Sequence, residues 1–285
     1  MTDDPRTAVI FPGQGSQEPG MRELVAEHAP DLLERCERLV GADAFGRVDE
    51  STRFAQPAIF CAGVASWRAA GGTRPGAVAG HSLGELTALV AAGALDAEAG
   101  LELVVLRGEL MADAAQRTGG GTMLALLKAQ DGQAERLAAA HGAVVANDNA
   151  PGQLVLSGPR EALATAAAQA RAEGARAIEL GVAGAFHSPA MAPAAEPFAA
   201  ALGRTSFRAP EVPVLSCLTA APMTDPAREL AEGLTRPVRW RQTLRALADR
   251  GVQRFREAAP GTVLTKLARR TLPDAQAGPL EAAGG

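Results

Sequence analysis

Short apolar runs separated by long stretches of helical spacing set the first expectation for this chain. Ala8 to Phe11, Ala77 to Ala79 and Val212 to Leu215 read as strands. Ala/Leu-rich segments with period 3.6 lie between them, and this alternation predicts a parallel sheet covered by helices. The middle of the chain has another rhythm. Thr122 to Lys128 reads as a strand and Asp131 to Ala140 as a helix. Ala143 to Ala146 and Leu154 to Leu156 read as two strands joined through NDNAPGQ. Arg160 to Glu173 is then a helix and Ala175 to Leu180 a strand. The order βαββαβ is the ferredoxin-like pattern. It begins after Gly119-Gly120-Gly121, a flexible entry point. The expectation is therefore an α/β chain in two parts. Residues 1–120 and 185–272 form a discontinuous large domain, residues 121–184 an insert, and residues 273–285 an Ala/Gly/Pro-rich tail that frays.

Composition narrows the functional classes. The chain has 285 residues, enough for a large core, with 47% hydrophobic and 21% charged residues. A net charge of −4 offers no general attraction to nucleic acid or an anionic membrane. The opening MTDDPRTAVIF carries acids where a signal peptide carries positive charge. No apolar run approaches the roughly 18 residues of a spanning helix. Cys36, Cys61 and Cys217 are scattered, which argues against a disulfide framework and against a metal site. A cytoplasmic protein is expected.

Chemistry is concentrated at Gly80-His81-Ser82-Leu83-Gly84, with a strand before it and a helix-forming run, Glu85 to Ala92, after it. That is the context of a nucleophile elbow. Small residues two positions to either side of Ser82 permit a sharp turn, and the next helix aims N–H groups at the site. The Leu83 N–H is the natural oxyanion donor. Four histidines compete as the base. His81 adjoins Ser82 and diverges from it, so it reads as structural, while His28 and His141 lie on polar surfaces. His187, in Gly184-Ala185-Phe186-His187-Ser188, follows the insert and is the candidate base. Arg107 shares a helix face with Leu103, Val104, Leu110 and Met111. A buried cation requires an anion, supplied either by a protein carboxylate or by a substrate carboxylate. The loop Phe11 to Gln17 lacks the Gly-Lys-Ser/Thr ending of a phosphate loop, but its glycines let Gln14 offer a second N–H.

These residues resemble a known family. FPGQGSQ at 11–17, GHSLGE at 80–85, RGELM at 107–111, NDNAPGQLVLSG at 147–158, AFHS at 185–188 and PVRW at 237–240 follow the order of malonyl-CoA:acyl-carrier-protein transacylases. The resemblance implies an α/β-hydrolase-like domain with a ferredoxin-like insert. It implies Ser82 as nucleophile, His187 as base, and the N–H groups of Gln14 and Leu83 as oxyanion hole. It implies Arg107, with Met111 and Phe186 nearby, as the site for the malonyl group, Phe186 being the malonyl-selective choice. It implies the main-chain carbonyl of Gly233 as the group that orients His187, at a position where the family often has Gln. Cys217 stands where the family often has Asn. Malonyl-CoA and an acyl carrier protein are the implied partners; the transfer through Ser82 needs no cofactor and no metal, and a monomer is favoured with the oligomeric state open. A basic C-terminal set, Arg236, Arg239, Arg241, Arg245, Arg250, Arg254, Arg256, Lys266, Arg269 and Arg270, either steers the carrier or is a solvated, salt-bridged surface. The rival readings are a hydrolase on the same elbow and an inactive carrier-docking subunit.

Overall fold

In the computed structural model, which describes residues 3–71 and 74–283, two sheets organise the chain. The elements in order are β1 (Asp3–Phe11), α1 (Met21–His28), α2 (Pro30–Val40), α3 (Thr52–Ala69), β2 (Arg74–Gly80), α4 (Gly84–Ala91) and α5 (Ala97–Arg117). Next come β3 (Thr122–Leu127), α6 (Gln133–His141), β4 (Val144–Ala150), β5 (Gln153–Gly158), α7 (Arg160–Ala172) and β6 (Arg176–Glu179). The chain then returns through α8 (Ala192–Leu202), β7 (Val214–Leu215), α9 (Pro226–Glu232), α10 (Trp240–Asp249), β8 (Arg254–Glu257), α11 (Val263–Thr271) and β9 (Gln276–Pro279). The fold is α/β.

The larger sheet is parallel, in the order β7-β2-β1-β8-β9. Within it, Ala8 to Phe11 of β1 and Ala77 to Ala79 of β2 are apolar without a break because both faces are covered. In β1, Val9 and Phe11 join the core beneath α1 to α5, while Ala8 and Ile10 join a second core with Trp240, Leu244, Phe255 and Leu267. Val78 and its neighbours Ala77 and Ala79 divide in the same way in β2. α5 begins where Asp96 caps the N–H groups of Glu98 and Ala99, at 2.9 and 3.2 Å.

The smaller sheet is antiparallel, in the order β4-β5-β3-β6, with α6 and α7 closing a separate core on Leu124, Leu126, Leu137, Leu156 and Leu163. Order and direction are those of the ferredoxin-like pattern. Its β4 edge docks on the larger unit. Asn147 bridges Val238, and the Asp148 carboxylate accepts Arg241 Nε at 3.0 Å, Arg241 Nη2 at 2.7 Å and Gln242 Nε2 at 2.9 Å.

The expected frayed tail is corrected. Residues 276–279 are an edge strand paired in parallel with β8, and Leu280 N–H donates to the Glu257 carbonyl at 2.7 Å. The strand escapes a pattern reading because QAGP carries almost no apolar signal; its backbone hydrogen bonds hold it. Gly284 and Gly285 lie outside the described residues.

Candidate active site

The elbow is built by close backbone approach. β2 ends at Gly80, the chain turns at Ser82 with φ 54°, and α4 starts at Gly84. A Cβ on Gly80 would lie 1.9 Å from the Gly84 carbonyl carbon, and one on Gly84 would lie 2.1 Å from the Phe11 oxygen. No other residue fits either position. The left-handed backbone at Ser82 costs about 1–3 kcal/mol, and the surrounding packing holds it.

His187 also has a positive φ, 55°. Its turn is locked by Ser188, whose Oγ donates to the Ala185 carbonyl at 2.6 Å and accepts from the Ala190 N–H at 3.2 Å. His187 Nε2 lies 2.8 Å from Ser82 Oγ, and Nδ1 lies 2.8 Å from the Gly233 carbonyl oxygen. A carbonyl only accepts, so Nδ1 carries the hydrogen and Nε2 presents a lone pair to the serine. Burial, and secondly the charge of Arg107, push the imidazole down to about 3, so it is neutral across the physiological range.

Arg107 is 5% exposed and has no ion-pair partner among the described residues. Nη1 donates to Gln56 Oε1 at 2.6 Å and Nη2 to Ser82 Oγ at 3.0 Å. Burial lowers its pKa to about 10, which leaves it charged. The amide of Gln56 is fully committed, because its Nε2 donates to Thr52 Oγ1 at 2.7 Å and to the Met111 sulfur at 3.3 Å. The guanidinium is therefore aimed at the serine by neutral groups.

A cleft of about 920 Å³ opens above these residues, between the two sheets. Gln14, Leu83, Arg107, Met111, Phe186 and His187 all line it. Leu83 follows Ser82, and Gln14 follows Gly13, where a Cβ would lie 2.6 Å from the His81 carbonyl oxygen; among the described residues neither N–H is spent on a backbone acceptor in a turn or loop. The Phe186 ring packs over Gly184, where a Cβ would come within 2.6 Å of it. Gly233 lies behind His187, away from the cleft.

The remaining histidines are set apart. His81 Nε2 lies 2.8 Å from Asn149 Oδ1, and its ring meets Trp240 edge-on. Burial holds its pKa below the usual range. His28 is beside Glu27, and His141 bonds Gln169. Gln56, Glu85 and Asn149 stand at the site without having been singled out from the sequence. Their partners lie 51, 132 and 68 residues away, beyond the reach of any local pattern. Much of the basic C-terminal set is internally engaged: Arg236 with Glu232, Arg241 with Asp148, Arg254 with Asp4, and Arg269 with the Ala277 carbonyl.

Fold and site together define a class: an α/β protein with a serine raised on a strand–helix turn against a backbone-held imidazole. The chain belongs to the acyl transferase domain family, whose model matches residues 8–284. It is 38% identical to the malonyl CoA-acyl carrier protein transacylase of Synechocystis, over 94% of each chain. It is also 38% identical to the polyketide biosynthesis protein ThaF of Burkholderia thailandensis, covering 93% of this chain but only 24% of that much longer protein. The crystal structure of malonyl-CoA:acyl carrier protein transacylase from Xanthomonas oryzae superimposes with a TM-score of 0.89 at 37% identity, covering 99% of this chain and 96% of that one.

Proposed function

We propose that the protein transfers a malonyl group from malonyl-CoA to the phosphopantetheine thiol of an acyl carrier protein, through an ester on Ser82. The observation that carries this reading is Arg107. A buried guanidinium that touches no protein carboxylate, 3.0 Å from the serine oxygen, is placed to receive an acyl carboxylate beside the reacting carbon. The names of the transacylases from Synechocystis and Xanthomonas agree with it.

His187 Nε2 takes the Ser82 proton as Oγ attacks the thioester carbonyl. The N–H groups of Gln14 and Leu83 receive the oxyanion. The C–S bond breaks, His187 returns the proton to the leaving CoA thiolate, and a malonyl ester remains. The carrier's thiol then gives its proton to His187 and attacks the ester, and Ser82 recovers the proton. Ser82, His187 and the backbone donors handle every proton and electron pair, so the chemistry calls for no cofactor. A carboxylate on Arg107 also offsets one of the two main causes of the low His187 pKa, so an acidic acyl group strengthens its own base. Phe186 stands beside the acyl group and favours an unbranched one.

The chain divides into a discontinuous catalytic unit, 1–120 with 185 onward, and an inserted unit, 121–184. A core confined to the inserted unit, on Leu124, Leu137, Leu156 and Leu163, supports the division, while Met123, Ala146 and Val155 on the other face of its sheet join the larger core. Free, buried Cys36, Cys61 and Cys217 support a reducing, cytoplasmic setting, and among the described residues no helix is long and apolar enough to cross a membrane.

The test is competition among malonyl-, methylmalonyl- and acetyl-CoA, with acylation of a holo carrier protein read by mass. Malonyl-carrier should dominate. Equal acylation by acetyl-CoA would contradict the role of Arg107. Release of malonate without carrier acylation would make the protein a hydrolase.

A further inference from the structure

Behind the nucleophile lies a second buried charge that the two-step mechanism leaves unused. Glu85 occupies the first turn of α4 and is 3% exposed. Its Oε1 accepts the Cys217 N–H at 2.8 Å. It has no ion-pair partner among the described residues. Glu85, Arg107, Ser82, His187 and Cys217 border the same small cavity, which holds about 10 Å³. Two buried, opposite charges thus face one cavity without touching.

We propose that Glu85, held by Cys217, is a specificity-determining residue: a buried countercharge that sets how firmly Arg107 grips an acyl carboxylate. The proposal rests on the malonyl-transfer reading of the site. Charges inside a protein act on each other beyond contact distance, because little water screens them. An ionised Glu85 therefore weakens the field that Arg107 presents to the substrate. A malonyl carboxylate entering that field is a second negative charge in the same enclosure, and two such groups ionise together only at a cost. Binding is relieved when Glu85 takes up a proton.

The other groups facing Glu85 do not change charge near neutral pH. Arg107 on α5 stays protonated and His187 stays neutral. Burial pushes the Cys217 thiol, after β7, well above its usual range. Arg236, at the far side of the cavity, is paired with Glu232. Burial has already raised Glu85 to about 7, so it is the group poised to respond. An acidic acyl group then binds with proton uptake, and a neutral acyl group binds without it.

Two measurements test this. The first uses malonyl-CoA and the full-length Ser82→Ala protein, which cannot form the ester. Calorimetry near pH 7.5, in buffers of different ionisation enthalpy, should show uptake of a large fraction of a proton. Adding Glu85→Gln should abolish it, and acetyl-CoA should show none in either background. The second is the malonyl-CoA KM of the otherwise native enzyme. It should rise by up to about tenfold per pH unit above 7, and Glu85→Gln should flatten that rise. Where Glu85→Gln fails to fold, Cys217→Asn replaces it: the Cys217 side chain also faces Glu85, and an amide there is a stronger donor that favours the ionised carboxyl and should shift the KM rise to lower pH. Proton uptake that persists in Glu85→Gln overturns the proposal. So does a parallel change in malonyl and acetyl KM, which marks a purely structural residue, or a Cys217→Asn profile identical to the native one. Carrier malonylation by the native protein tests the transfer reading separately, so either can fail alone.

Discussion

Arg107 and Arg241 both lie where the two sheets meet, and they are satisfied in opposite ways. Arg241 grips the Asp148 carboxylate through Nε and Nη2, at 3.0 and 2.7 Å, and so ties β4 of the inserted unit to α10. Arg107 is more deeply buried and has only an amide oxygen and a serine hydroxyl. A paired arginine joins parts of a fold. An arginine that burial has made costly, with no anion in contact, is held for a ligand. The chain's basic C-terminal run illustrates the converse. It contributes the most arginines, and many of them end on internal acceptors.

The largest expected effect lies on the Arg107 side of the contrast. Arg107→Ala should lower malonyl kcat/KM by about 10³-fold, roughly 4 kcal/mol for a lost buried charge contact, and acetyl kcat/KM by less than tenfold. Equal losses would make Arg107 structural and erase the distinction. On the other side, Asp148→Ala should cost about 2 kcal/mol of stability in urea unfolding, with the malonyl-to-acetyl ratio unchanged. A changed ratio would show that the tether also shapes the acyl site. Phe186→Ser should raise methylmalonyl relative to malonyl transfer by about tenfold, the range of a single methyl in an apolar pocket. The smallest effect belongs to the surface charges. Charge reversal at Lys266 should raise the carrier KM a few-fold at low salt and not at high salt. No change at low salt would assign the basic set to the solvated surface.

The sheets differ in how much of them could be read from the pattern of residues. The βαββαβ unit is legible because each element has its own apolar signal and turn, and Leu124, Leu137, Leu156 and Leu163 close one local core. β1 and β2 are legible because burial on both faces leaves an unbroken apolar run. β8 is not: in RFRE only Phe255 is apolar, and Glu257 is buried to accept the N–H groups of Leu264 and Thr265. At the site, Ser82 stands out through the glycines around it, and Arg107 through its apolar helix face. Gln56, Glu85 and Asn149 carry no such mark. Each is an ordinary polar residue whose place depends on a partner brought close only by folding.

The central claim is that Ser82 carries the malonyl group between its two thiols. Intact-protein mass spectrometry after brief exposure to malonyl-CoA, followed by a chase with holo carrier protein, tests it directly. One malonyl adduct should form on the native protein, map to Ser82, disappear as malonyl-carrier appears, and be absent from Ser82→Ala. An adduct that survives in Ser82→Ala, or one chased only into free malonate, would contradict the account.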